Sequence, residues 1–139
     1  MTVSEIVSGE QHAIQLRKVS DQEFASSVFP DSMIVRLAEI EVYAEHLDEY
    51  LKYAHEVDRL SVELEPGVIS LFPMQSADDP TQIRILEIYA SPAAYQSHLL
   101  TDHFKRYKQG TQHMVKSLKL PTMQPLDRQS MPLIFKKLR

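Results

Sequence analysis

The chain has 139 residues, a length that fits one domain, and 43% of them are apolar, enough for a real core. Its formal charge is −4 with no concentrated basic patch, which sets nucleic-acid binding aside. Cysteine is absent, which excludes disulfides, thiolate catalysis and thiolate-held zinc or iron–sulfur centres.

Residues 1–30 are polar and weakly patterned, and read as an N-terminal extension. Within them His12 to Val19 suits a short strand, and Phe29-Pro30-Asp31 reads as a stop. The extension has no apolar run of signal-peptide type, and no later stretch is long enough to span a membrane. The expected location is the cytoplasm.

Met33 to Tyr43 is the first clear element. Ile34, Val35, Ile40 and Val42 are β-branched, and no Gly or Pro interrupts them. Both faces of this strand carry apolar side chains, so both need covering. Glu45 to Leu64 follows with helical spacing: Leu47, Tyr50, Leu51, Ala54, Val57, Ser61 and Leu64 form one stripe. Pro66-Gly67 ends the helix, with Gly67 expected to take a positive φ. Val68 to Gln75 and Gln82 to Ala90 are strands joined by the turn Ala77-Asp78-Asp79-Pro80, making a hairpin.

Ser91-Pro92 is a helix start, with Ser as N-cap and Pro at the first helical position. A short helix over Ala93–Leu100 is followed by a second cap at Thr101-Asp102. Helical spacing then runs through Phe104, Tyr107, Thr111, Met114, Val115 and Leu118 until Pro121. Thr122 to Leu126 is the expected fourth strand. In the tail, Pro132-Leu133-Ile134-Phe135 reads as an apolar extended stretch to be buried, with a dimer partner as one candidate cover.

The order β-α-β-β-α-β defines an α+β domain of the ferredoxin-like type over 31–126, with a C-terminal tail from 127 to 139. Helices on one face leave the other face of the sheet bare, and that face is also apolar. A second copy is its natural cover, so the chain is expected to form a homodimer packed sheet to sheet, a dimeric α/β barrel.

An ordered series of short motifs sits on this frame: Glu65-Pro66-Gly67, Asp78-Asp79-Pro80-Thr81, Ile85-Leu86-Glu87-Ile88-Tyr89, Ser97-His98-Leu99 and Thr101-Asp102-His103-Phe104. The series resembles the antibiotic biosynthesis monooxygenase family, which includes quinol monooxygenases and relatives acting on a furanone-type signalling molecule. The likeness covers roughly residues 33–126. It implies oxidation of a small quinol or phenol by dioxygen without metal or flavin, the substrate supplying the electrons. Two departures stand out. Tyr89 occupies a position where many members carry Trp, and Asp102 precedes His103 where Pro is more usual. The chain has no Trp at all, which speaks against haem degradation.

Chemistry of that kind needs a base, donors for developing oxyanions and a dry pocket. Glu87 is the first candidate base. It lies mid-strand on a face shared with Ile83, Ile85 and Tyr89, where burial raises a carboxylate's pKa. The plainer reading is a carboxylate held by a structural Arg or by the dimer partner. His98 and His103 bracket the break between the two short helices and, chiefly through the resemblance, are candidate bases or proton shuttles. Their plainer readings are a helix residue bonding a carbonyl and a residue packed beside Phe104.

Tyr89, Tyr95 and Tyr107 are candidates to line an aromatic pocket. Glu39 and Phe72 complete the expected substrate wall, although a structural pair for Glu39 with its strand neighbours and a core role for Phe72 are the alternatives. His98 and His103 are five residues apart and share no helical face, so no metal site is expected. Three glycines make no phosphate loop, so no nucleotide cofactor is expected either. The alternatives in function are a non-catalytic dimeric ligand-binding or stress-associated protein, and a small-molecule isomerase of the same superfamily.

Overall fold

The computed structural model describes residues 32–127 and 129–138. Residues 32–124 form one compact unit, and the chain from Pro125 onward belongs to another. The strand expected at His12–Val19 and the stop at Phe29-Pro30-Asp31 lie outside the described residues. None of the described helices is long and apolar enough to cross a membrane.

The sheet is antiparallel and open, not closed into a barrel. Its order is β2-β3-β1-β4, with a short β5 also on β1. β1 spans Ile34–Val42, β2 Val68–Gln75, β3 Gln82–Tyr89, β4 Val115–Lys119 and β5 Thr122–Met123. β3 therefore lies between β2 and β1, the position that withdraws its side chains furthest from the edges. Pro73 sits within β2, and it is tolerated because β2 is an edge strand whose outer backbone donors need no partner.

A single 3-10 turn at Ala44–His46 leads into α1, Leu47–Leu64. This helix buries Tyr50, Ala54, Val57, Asp58 and Ser61, a stripe at helical spacing that faces the sheet. The core beneath it comprises Ala38, Ile40, Val42, Tyr50, Ala54, Ile83, Ile85 and Met114. Burial of these side chains, each contributing about 1–3 kcal/mol, fixes the helix on the strands.

The junction from α1 into β2 is tight. The Glu65 amide donates to Ser61 O at 3.1 Å, and the Val68 amide to Glu65 O at 3.0 Å. Gly67 follows. It does not adopt the expected left-handed conformation; a Cβ there would instead collide with Ala94 Cβ. Glycine is required by close approach, and its carbonyl accepts from the Ala90 amide at 2.8 Å.

α2, Pro92–Leu99, begins where the Ser91 hydroxyl accepts from the Ala94 amide at 3.1 Å, with Pro92 at the first turn. α3, Asp102–Thr111, is capped by Thr101. The Thr101 hydroxyl accepts from the Phe104 amide at 3.2 Å and donates to His98 O at 2.8 Å. One residue thus closes α2 and opens α3.

Two expectations are corrected here. The helical spacing from Phe104 to Leu118 overruns the helix: α3 stops at Thr111, a 3-10 turn covers Gln112–Met114, and the fourth strand begins at Val115. The outer edge of β1 needs backbone partners, and 115–119 supply them, Ile40 pairing with Leu118 and Val42 with Val115. The stretch Thr122–Leu126 retains only the two-residue β5, because Pro121 breaks the ladder. Its carbonyl still accepts from the Leu37 amide at 3.2 Å. The second correction is the tail. Ser130–Lys136 is a helix, α4, rather than an extended stretch. Pro132 falls in its first turn, where amides have no intrahelical acceptor and a missing one costs little.

Candidate functional site

Alternation along the strands decides what faces the helices. On β3 these are Ile83, Ile85, Glu87 and Tyr89; on β1, Arg36, Ala38 and Ile40. In the β1–β3 register Arg36 lies opposite Glu87 and Ala38 opposite Ile85. Between this face and α1–α3 is a cavity of about 290 Å³. It is close to the lower end of the range typical of small-ligand pockets, about 300–1,000 Å³, and its walls are mainly apolar.

Glu87, Tyr89, Tyr95, His98 and Tyr107 all line it, with Asp58, Phe104, Lys108 and aliphatic side chains completing the wall. The Tyr89 hydroxyl donates to Glu87 Oε1 at 2.9 Å, a same-face pair two residues apart on one strand. Burial raises the Glu87 carboxyl above the ordinary carboxylate range, against opposing pulls from that hydrogen bond, His98 and Arg36. The Arg36 guanidinium lies 4.1 Å from the Tyr95 ring centre, and its buried Nε has no hydrogen-bond partner among the described residues.

The His98 ring sits between two aromatic rings, Tyr89 at 5.5 Å and Phe104 at 4.9 Å. Its Nδ1 is 3.0 Å from Glu65 Oε2. His103, from the next helix, brings Nε2 to 2.7 Å of the same oxygen. The three side chains are 12%, 4% and 9% exposed for Glu65, His98 and His103, so the cluster is shielded from water. Burial alone would raise the Glu65 carboxyl. The hydrogen bonds from His103 and His98 outweigh it and hold the group below its usual range.

The other expected residues sit elsewhere. His103 does not line the cavity; it lies behind the wall, on Glu65. Glu39 is on the opposite face of β1, 3.7 Å from Arg84. Phe72 also points away from the helices, on the opposite face of β2, and is 60% exposed.

Two residues with no expected role belong to the site. Glu65 reads in the sequence as a helix stop. Asp58 lines the cavity while only 8% exposed, and its buried Oδ2 has no hydrogen-bond partner among the described residues. Burial, with a contribution from nearby Glu87, pushes its pKa up from 3.8 to about 7. At the same end of the cavity the Tyr50 and Tyr107 hydroxyls are 2.6 Å apart, and burial pushes Tyr107 up to about 12.

The ligand atoms of Glu65, His98 and His103 lie within 4.8 Å of one another, a spacing that one ion could bridge. An ion there would sit behind the cavity wall, since of the three only His98 lines the cavity.

The fold and the cavity together define a ferredoxin-like α+β domain with a half-open cavity between its sheet and its helices. The sequence profile of the antibiotic biosynthesis monooxygenase family matches residues 33–110, and the chain belongs to that family. It is similar to a protein from Bacteroides thetaiotaomicron provisionally named an antibiotic biosynthesis monooxygenase, at 44% identity and a TM-score of 0.69, covering 70% of this chain and 92% of that one. A provisionally named monooxygenase from Lactobacillus acidophilus is 29% identical with a TM-score of 0.65, over 66% of this chain and 44% of that one. A third structure, from Nitrosomonas europaea, shares the fold at 22% identity and a TM-score of 0.64, over 70% of this chain and 94% of that one. No curated protein matches the chain.

Proposed function

We propose that the protein is a cofactor-independent monooxygenase that oxidises a small quinol or phenol with dioxygen. The observation that carries this reading is the meeting of Glu87 and His98 on the wall of one mainly apolar cavity, about 290 Å³ in volume. Membership of the family supports it.

Oxidation of a phenol to a quinone by dioxygen leaves one oxygen atom in the quinone and the other in water, and all electrons come from the substrate. Two protons must be handled. Glu87 takes the phenolic proton; its raised pKa makes it a stronger base than an ordinary carboxylate. The phenolate gives one electron to dioxygen, and the radical pair closes a carbon–oxygen bond at the ring. The peroxide so formed regains the proton from Glu87. His98 then takes the proton from the same ring carbon, the oxygen–oxygen bond breaks, and the departing hydroxide leaves with a proton as water. Apolar walls and the Tyr89, Tyr95 and Phe104 rings limit the contact of water with the anion in this half-open cavity.

The test is turnover of a panel of quinols and phenols under ¹⁸O₂. The expected result is one labelled atom in the quinone and one in water. Oxygen uptake by none of the panel would overturn the reading in favour of a binding protein of the same fold. Conversion without oxygen uptake would favour an isomerase.

The working unit of this proposal is a homodimer joined through the sheet face opposite the cavity. That face carries Leu37 and Leu86 beside the buried Val35 and Ile88, and exposes Phe72, Met74 and Met123 at 60%, 39% and 45%. Phe72→Glu is expected to shift the species seen by light scattering from dimer to monomer; a parent protein that is monomeric at micromolar concentration would refute the assembly.

A further inference from the structure

Glu65 and His103 lie outside the cavity, yet both are largely shielded, and Glu65 joins His103 to the one histidine that lines it. A carboxylate can only accept hydrogen bonds. A ring nitrogen within 3.0 Å of it must therefore carry a hydrogen. For His98 that nitrogen is Nδ1. A neutral imidazole has a single N–H, so Nε2 is left with its lone pair, and it makes no hydrogen bond among the described residues.

From this arrangement we infer that Glu65 is a positioning residue. It holds His98 in the Nδ1–H tautomer, leaves Nε2 as the proton acceptor for the cavity, and is itself held in place by His103. The inference rests on the proposed role of His98.

Each part of the relay is anchored independently. Glu65 is fixed by its backbone at the α1–β2 junction, through hydrogen bonds to Ser61 and from Val68. The Thr101 hydroxyl ties the end of α2 to the start of α3, so His98 and His103 approach Glu65 from two helices in a set geometry. His103 Nε2, at 2.7 Å, occupies the same oxygen as His98. The carboxylate then cannot rotate away without breaking both bonds. When His98 takes a proton, its positive charge forms 3.0 Å from a negative one in a shielded site, where attraction is stronger than in water. Glu65 never meets the substrate; it acts through His98.

The measurement is the ¹⁵N spectrum of the histidine rings, with oxygen uptake as the second readout. In the parent protein His98 is expected to show a protonated Nδ1 and a bare Nε2 at neutral pH. Glu65→Leu removes the acceptor and is expected to mix the two tautomers. Glu65→Gln keeps an oxygen for both histidines but removes the charge. It is expected to retain the tautomer while turnover falls about 10–100-fold, in line with other residues that act through a catalytic histidine. A bare Nδ1 in the parent protein would overturn the inference. So would Glu65→Gln turning over at the parent rate, since a purely structural contact would survive that change. A zinc or iron ion retained at one equivalent by the purified protein would also overturn it, because the metal would take the Nδ1 lone pair. The tautomer needs no substrate to be read, so failure of the oxidation chemistry and failure of the positioning role are separate results.

Discussion

The stability of Asp58→Asn relative to the parent should rise by up to about 4 kcal/mol as pH rises from about 4 to about 7. The sign follows from its titration. Folded, Asp58 keeps its proton up to about pH 7, whereas its ordinary value is 3.8. Between those values the folded state holds a proton that the unfolded chain has released. The parent therefore loses stability as pH rises through the window, and the loss is complete above the folded value. Asn does not titrate, so it escapes this loss. Its amide brings a pH-independent cost, because the site offers no good partner, but that cost cancels when the difference between the proteins is followed across pH. Urea unfolding of both proteins at several pH values measures it. A difference that stays flat from pH 4 to pH 8 would mean that Asp58 is not buried in its protonated form.

Glu87→Gln is expected to lower turnover by about 10²–10⁴-fold, the usual contribution of a general base. Gln is nearly isosteric and can still accept from the Tyr89 hydroxyl, so the melting temperature should change little. The side chain lines the cavity and shares its face of the sheet with Arg36. The substitution also weakens the electrostatic coupling of this position with Arg36, which lies opposite it on β1. Substrates that are already ionised at the assay pH should suffer least, because they no longer need the base. Equal losses for ionised and neutral substrates would point to a packing role for Glu87 and not to proton transfer.

Much of this architecture was legible in the sequence because its signals are local. Ser91-Pro92 and Thr101-Asp102 mark helix starts through their own side chains, and both start helices here. The β-branched run of β1 and the Asp-rich turn before β3 are equally self-contained. What failed was context-dependent. Val115 and Leu118 fit a helical stripe, but the unpaired edge of β1 recruits them into a strand, a demand no local pattern reveals.

The cavity follows the same division. Glu87, Tyr89, His98 and Tyr107 reach it through simple alternation or helical phase. Glu39 and Phe72 have the opposite phase on their strands, and alternation alone places them on the other face. Asp58 left a usable signal: it lies four residues after Ala54 and three before Ser61, a carboxylate within an otherwise uncharged stripe. Glu65 left a different one. The three motif pieces containing Glu65, His98 and His103 meet in space, although nothing in their spacing says so.

The triad of Glu65, His98 and His103 also bears on the order in which the molecule assembles. Its bonds join residues 33 and 38 positions apart. The β2–β3 hairpin closes over a much shorter loop and can form on its own account. The carboxylate finds its two donors only after α2 and α3 have docked, so the reactive centre is among the late contacts to form and among the early ones to open. Amides of α2 and α3 should then exchange with solvent ahead of those in β1 and β3, leaving a folded sheet that briefly lacks its chemistry.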